Sequence, residues 1–536
     1  MPLGDRPVRA RRTALPATLA AAVLALTASV LAAAPAQART IVKAAPSTSV
    51  AVPLLNERFT ISGSLGASKA RWAELQQKVG AKWVKRERTW IPASGRYSYP
   101  LIVPGGTTVW RVIARKSGTS PKRVTYGRYL TRGSQSTSFS APTAIKAGST
   151  VSITATSSPA RPGRSVQLQV DTGSGWTVSS TGAENASGQT TFSLATSSAG
   201  VVQYRTLEQP TANGVGGHLS AAATLDVVPT TAPAVAAHRG FSSYYPENTL
   251  LAYTGALDNG TDWLETDFQQ TAPDTEAEVA DSACSAYGVT TAGATHFIAL
   301  HDSDFTRTTD VETKFPIASY PTKYSSAGKP LVENFTLCEI KQLDAGAWKS
   351  ASFSTSTYGS LTQVPTLEET LTLLSGSTKG AKTRIMLEPK YGTVAEAKAL
   401  YDAVVAFDQA HASTSGYQPY VDVIGHDDRA LFDTFNFDVA AALEDPTQAP
   451  GAEVATVVDD ASELDPATSA GAVMVLVNQS LASAEAIKAY NEASLPVYVW
   501  TVDTPETWFH LAALGASGII TNNSKGMTQR FAALLA

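Results

Sequence analysis

Beyond residue 233 the chain alternates strand-like apolar runs with amphipathic helical segments, and this alternation constrains its fold more than any other feature. The apolar runs lie at 235–238, 263–268, 297–301, 384–388, 421–424, 439–443, 473–477, 497–502 and 518–521. Segments of helical periodicity separate most of them, at 248–257, 367–374, 394–407, 483–490 and 507–514. An α/β fold of the (β/α)8 TIM barrel type is expected. Nine runs compete for eight places, and 297–301 is read as the surplus, a hairpin or loop strand. An open doubly wound sheet is the competing architecture, but no Gly-rich phosphate loop follows the first run.

The preceding half reads differently. Residues 48–134 and 135–228 form a repeat in which Leu75 and Trp83 recur as Leu168 and Trp176. Gly95 before Tyr97 and Tyr99 recurs as Gly188 before Thr190 and Phe192, and Trp110-Arg111 recurs as Tyr204-Arg205. Short alternating stretches divided by Gly, Ser and Pro predict two small tandem all-β sandwich-like domains. Trp72, Trp83, Trp110 and Trp176 are expected in sandwich cores rather than on a sugar- or wall-binding surface, the usual place of large aromatics on strands. A Pro/Thr linker at 229–233 leads to the barrel domain, 234–536.

Residues 1–38 read as an export signal: Arg6, Arg9, Arg11 and Arg12 precede an apolar run that ends at Ala36-Gln37-Ala38. The mature chain is therefore expected to be secreted and to carry no membrane span. Oxidising surroundings permit a bridge between the only two cysteines, Cys284 and Cys338, the alternative being two buried inert thiols. With 42 Lys and Arg against 46 Asp and Glu, a net charge of −4, no basic patch is expected that would suggest a nucleic-acid partner.

In barrels the chemistry sits where strands end, so polar residues closing an apolar run are the ones to inspect. Four runs end in titratable groups: His238-Arg239-Gly240, Glu265-Thr266-Asp267, His301-Asp302 and Glu388-Pro389-Lys390. Glu265 and Asp267 stand two apart on one strand and so point to one face. With Glu388 they form an all-oxygen set that suits Ca2+ or Mg2+ better than zinc, although the acids could instead pair with Arg239 and Lys390. His238 and His301 are the natural general base and general acid near neutral pH.

Seven segments then occur in a telling order: AHRGFSSYYPENTLLAY at 237–253, LETDFQQT at 264–271, LHDSDFTRTT at 300–309, VPTLEETL at 364–371, MLEPK at 386–390, VYVWTVD at 497–503 and GASGIITNN at 515–523. Together they resemble the motif set of the glycerophosphodiester phosphodiesterase family across 235–530, and none of the N-terminal half shares the likeness. The resemblance implies a small-molecule glycerophosphodiester or a glycerol-phosphate polymer as substrate, with glycerol 3-phosphate and an alcohol as products. It assigns Arg239 and Lys390 to the phosphate, Glu247 to supporting Arg239 or the substrate, and Trp500 to the apolar part of the substrate. Contact with the cell wall would fall to the N-terminal β-domains.

The sequence departs from the family pattern in places. Residues 272–295 form an insertion that carries Cys284, Pro389 stands between Glu388 and Lys390, Asp503 replaces the customary asparagine after WTV, and Asn522 replaces the customary aspartate after Ile-Thr. None of these removes a proposed catalytic group. Competing expectations are a phospholipid-directed barrel enzyme resembling sphingomyelinase D or phosphatidylinositol phospholipase C, and a non-catalytic surface-binding protein. The intact PENT, PTLEE and WTV segments favour the first reading over the phospholipid-directed one, and retention of both histidines and all three carboxylates argues against the binding protein.

Overall fold

Strand β1 (Ala234–His238) pairs on one side with the next strand of the chain and on the other with the last, which is how the sheet becomes a barrel. A computed structural model describes residues 40–103, 105–421, 429–463 and 471–536, so residues 1–38, read above as an export signal, and His426 lie outside the described residues. Beyond β1 the barrel runs through β2 (Trp263–Gln270), β3 (Arg384–Pro389), β4 (Ala430–Thr434) and β5 (Glu453–Val458). It continues through β6 (Met474–Asn478), β7 (Val497–Trp500) and β8 (Gly518–Thr521). All eight pair in parallel, and β8 returns to β1 with Ala234 opposite Gly518, which closes the ring. The interior is packed: Ala236, Trp263, Met386, Leu431, Ala455, Leu476, Tyr498 and Ile520 share one cluster.

Two strands differ from expectation. The run at 439–443 is helical, within Phe437–Glu444, and Asn436 caps that helix by accepting from the Asp438 amide. Val439, Ala440 and Leu443 fall on one buried helical face, so an alanine-rich run that looked extended has helical spacing instead. The true strands nearby are β4 and β5, and β4 was hidden because Asp433 and Thr434 interrupt its apolar character. Of the run at 421–424, Val421 is buried in the core and the rest lies outside the described residues. The surplus run supplies Phe297–Ala299, which pairs antiparallel with the end of β2 and takes no place in the ring.

The two preceding β-regions have the same strand plan. In each, a short strand pairs in parallel with a strand near the end of its domain: Ile41–Lys43 with Arg123–Thr125, and Ala144–Lys146 with Ala223–Val228. A second three-stranded sheet completes each sandwich. Both repeat glycines have positive φ, 72° at Gly95 and 82° at Gly188, and a Cβ there would lie 2.5 Å from the Ala67 nitrogen or 2.3 Å from the Ser157 oxygen. The repeat's Trp-Arg pairing is also kept. Arg111 lies 4.0 Å over Trp83 and donates to Gln76, while Arg205 lies 3.9 Å over Trp176 and donates to Gln169.

The compact units divide at Met1–Gly133 and Ser134–Ala536, so the second sandwich belongs with the barrel. Ala144 and Val228 share a cluster with Val235, Trp508 and Phe531 of the barrel. Lys146 Nζ donates to the Leu535 carbonyl at 2.6 Å, and His510 pairs with Asp226 at 2.9 Å. The Pro/Thr segment at 229–233 is a short coil beside this contact.

Candidate active site

Four barrel strand ends and one loop deliver the charged groups. At the end of β1 the chain turns sharply through Arg239 (φ 57°) and Gly240 (φ 83°), where a Cβ on Gly240 would sit 2.7 Å from the Ala252 backbone. The turn packs against helix α1 (Leu250–Asp258), which Thr249 caps by accepting from the Ala252 amide. It leaves the Arg239 amide donating to Glu265 Oε2 at 2.9 Å and the guanidinium 3.2 Å from Asp267. Asn248, also with positive φ, donates to Asp267 Oδ2 at 2.8 Å and so fixes the second acid of β2.

The register of β2 against β3 places Asp267 opposite Glu388. Glu265, Asp267 and Glu388 each bring a carboxylate oxygen to within 4.8 Å of the others, a set that could hold a metal ion. Lys390 bridges two of them, 2.7 Å from Glu388 and 3.3 Å from Asp267. Burial and then repulsion from Asp267 and Asp433 push the Glu265 carboxyl well above its ordinary range. Burial and Asp267 likewise push Glu388 up to about 7. Burial also opposes the Asp267 charge, but Arg239 and Lys390 overcome it and hold that carboxyl below the usual range. The site thus gathers more negative charge than its two cations offset, and a divalent cation fits such a set.

The histidines flank this cluster. His238 Nδ1 lies 2.8 Å from Asn522 Oδ1, an oxygen that also accepts from Ser242. That oxygen can only accept, so Nδ1 carries the proton and Nε2 keeps its lone pair, 3.9 Å from Glu265. Burial and the neighbouring Arg239 lower the His238 pKa to about 4, which keeps the ring neutral. His301 Nδ1 lies 2.7 Å from Asp302. Burial works against the Asp302 charge, but hydrogen bonds from Arg307 and His301 hold it at about 2.

Both histidines line one cavity with Arg239, Glu265, Glu388, Lys390 and Trp500. Its volume of about 70 Å3 has room for an ion and a phosphoryl group at roughly 10–15 Å3 per water-sized occupant. Trp500 donates through Nε1 to the Leu476 carbonyl and meets Phe435 edge to face, so it forms an apolar wall. Glu247 receives two arginines, Arg239 at 2.9 Å and Arg307 at 2.7 Å.

Sequence reasoning missed three contributors. Asp433 lines the cavity from β4, buried, and among the described residues its Oδ1 has no hydrogen-bond partner. Phe435 lies just beyond the same strand, so both were lost with the strand itself. Arg307 stands inside a motif already noticed, and its signal was the arginine five residues after His301-Asp302. Asp503 and Asn522, seen only as departures, prove to be partners: Asn522 donates from its backbone amide and from Nδ2 to Asp503, at 2.8 and 2.7 Å. The insertion is tied down by pairing of Cys284 with Cys338.

The profile of the Glycerophosphoryl diester phosphodiesterase family matches residues 238–274 and 295–525, and the gap falls on the insertion. A glycerophosphodiester phosphodiesterase of Bacillus subtilis is 31% identical over 138 residues, 25% of this chain and 34% of the relative. One of Caldanaerobacter subterraneus is 30% identical over 140 residues, 26% of this chain and 40% of the relative. The chain thus spans about a third to a half of the length of the curated relatives it matches. An Oleispira antarctica phosphodiesterase solved with the product sn-glycerol-3-phosphate is 20% identical, covering 56% of this chain and 96% of that one, with a TM-score of 0.40. By its match along the barrel, the chain belongs to the glycerophosphoryl diester phosphodiesterase family.

Proposed function

We propose that the protein is a secreted, metal-dependent phosphoric diester hydrolase that cleaves glycerophosphodiesters to glycerol 3-phosphate and an alcohol. The observation that carries this reading is the convergence of two histidines, Glu265 and Glu388 on one cavity at the barrel mouth, with an Asp267 oxygen within 4.8 Å of both acids. Glu265, Asp267 and Glu388 would hold a Ca2+ or Mg2+ ion, which when bound offsets charge on the phosphoryl oxygens. Arg239 and Lys390 bring fixed positive charge to the same oxygens.

The neutral His238 presents its Nε2 lone pair to the cavity and takes the proton of an attacking water. The phosphorus–oxygen bond to the alcohol breaks, and His301, oriented by Asp302, supplies the proton that the leaving alkoxide requires. The wall formed by Phe435 and Trp500 suits the carbon skeleton of the glycerol or the alcohol.

The test is release of glycerol 3-phosphate from glycerophosphocholine and glycerophosphoethanolamine, with and without chelator. Release that stops with chelator and returns with Ca2+ or Mg2+ is expected, and Glu265→Gln should not regain it. Undiminished release from metal-stripped protein would overturn the metal assignment, and no release under any condition would overturn the activity.

A further inference from the structure

The whole-chain charge conceals a sharp segregation. Residues 40–133 hold 17 Lys and Arg against three Glu and no Asp, a net charge of +14. Residues 134–228 hold four basic and four acidic residues, and 229–536 hold 16 against 38, a net charge of −22. The first β-domain is thus the cationic part of an otherwise acidic protein.

Much of that charge lies on one sheet. The strands Arg71–Val79 and Lys82–Ile91 pair antiparallel, with Trp72 opposite Trp90 and Glu74 opposite Arg88. Ala73, Leu75 and Ile91 point into the core, so strand alternation turns the tryptophans to solvent, where Trp72 is 46% and Trp90 56% exposed. The two rings meet edge to face at 5.3 Å. A groove beside them is lined by Arg71, Trp72, Arg88, Trp90, Lys116 and the pair of Arg115 with Glu74, 3.2 Å apart. Lys78, Lys82, Lys85 and Arg86 on the same hairpin are also exposed. Of Trp72, Trp83, Trp110 and Trp176, all expected in sandwich cores, only Trp110 is buried, at 2% exposed.

We propose that this face is a binding surface for a base-free phosphodiester polymer, of the chemistry of a poly(glycerol phosphate) chain. Charge complementarity selects a polyanion. The aromatic geometry selects among polyanions. Arg88 lies over one face of Trp72 at 4.3 Å and Arg111 over one face of Trp83 at 4.0 Å, so the protein's own guanidiniums occupy indole faces on which bases would otherwise stack. A stacked guanidinium keeps its N–H edges free for phosphate oxygens. The tryptophans also stand among charged neighbours, with Glu74 opposite Arg88 beside them, and do not form the continuous apolar face that enters a bilayer. The second sandwich has the same Gln-Trp-Arg trio without the excess charge, so the trio belongs to the architecture and the charge to the first domain's task. The choice of polymer rests on the reading of the barrel as a glycerophosphodiester hydrolase.

The experiment uses the full chain and two separate readouts: binding of labelled poly(glycerol phosphate), and turnover on glycerophosphocholine. If about five phosphates are contacted, affinity should fall roughly a hundredfold between about 50 and 200 mM salt. The variant Lys85→Glu/Arg88→Glu/Arg115→Glu should bind at least roughly tenfold more weakly while its turnover on glycerophosphocholine is unchanged. Should that variant fail to melt cooperatively, Arg88→Gln/Lys116→Gln serves instead, with a smaller loss in the same direction. Absent or salt-independent binding overturns the proposal, as does tighter binding to single-stranded DNA of equal charge or to phosphatidylglycerol vesicles. Retained polymer binding without any turnover would sink the hydrolase reading and leave the surface standing.

Discussion

The first β-domain and the barrel use charge in opposite ways. In the β-domain many of the basic groups, Lys78, Lys85, Arg88 and Lys116 among them, are exposed to solvent, so they act together at range and are screened by salt. In the barrel mouth the acids that matter are buried, with Asp267 and Glu265 only 1% and 4% exposed, and bulk salt reaches them little. Exposed charge is available for recognition; buried charge must be compensated locally, and here Arg239 and Lys390 supply part of that compensation and leave acids that could hold a metal ion. A single net charge of −4 averages these two regimes into a number that describes neither.

The largest effects should come from the buried side of this contrast. His238→Ala and His301→Ala should each lower turnover on glycerophosphocholine by roughly a hundredfold or more. Combined, the losses should not multiply, because both groups serve one transition state. His411, held by the Phe407 carbonyl at 2.8 Å and stacked on the Phe407 ring, is the control, and its loss should cost stability and not turnover. Near-normal turnover in a folded single variant would remove the two-histidine mechanism and leave polymer binding as the protein's surviving activity.

A second test separates position from charge inside the site. Asn522→Asp would set a carboxylate beside Asp503, where an amide now donates at 2.7 Å, and would disturb the oxygen that orients His238. Turnover should fall by about tenfold with a lower melting temperature, the scale of an outer-shell defect. Asp503→Asn/Asn522→Asp restores one donor and one acceptor to the pair and should recover most of both. A double variant no better than the single would show that the exchange of these two residues is not what positions His238.

These partners show what can and cannot be read along a chain. The barrel, the histidines, the three carboxylates and Lys390 were legible because each closes an apolar run that alternates with helices. Asp433 was not, since it sits within the five-residue strand whose apolar pattern it breaks. The Asp503–Asn522 pair was visible only as two unrelated departures, because hydrogen bonds across 19 residues leave no periodicity. The cationic face was legible in composition and was lost by averaging over the whole chain. Its tryptophans needed the register, since alternation predicts two faces without saying which one is wet.

Cutting the chain tests where recognition ends and the catalytic body begins. A protein starting at Ser134, the edge of the second compact unit, should keep its turnover on glycerophosphocholine and lose polymer binding. One starting at Pro233 removes Ala144 and Val228 from the cluster they share with Trp508 and Phe531. Losing that burial costs roughly 2–4 kcal/mol, so its melting temperature should drop by about 5–10 °C. Equal melting temperatures for the two truncated proteins would mean that the second sandwich contributes nothing to the barrel's stability.

The smallest expected effect lies between the two charge regimes, at the half-exposed pair of His510 and Asp226 that joins the second sandwich to the barrel. The hydrogen bond to Asp226 raises the His510 pKa above its ordinary value, outweighing the opposing effect of burial. The imidazolium is therefore favoured in the folded protein more than in the unfolded chain. A raised folded pKa gives stability that is fully present below the unfolded value of about 6.5 and is lost as pH rises through the folded one. The melting temperature of the native protein should accordingly exceed that of His510→Gln most at about pH 6, and the gap should close toward about pH 8.5. With the imidazole 45% exposed, solvent screens the pair and the gap should stay within a few degrees. A gap that is constant across this range, or that widens with pH, would show that His510 joins the two domains by packing and not by charge.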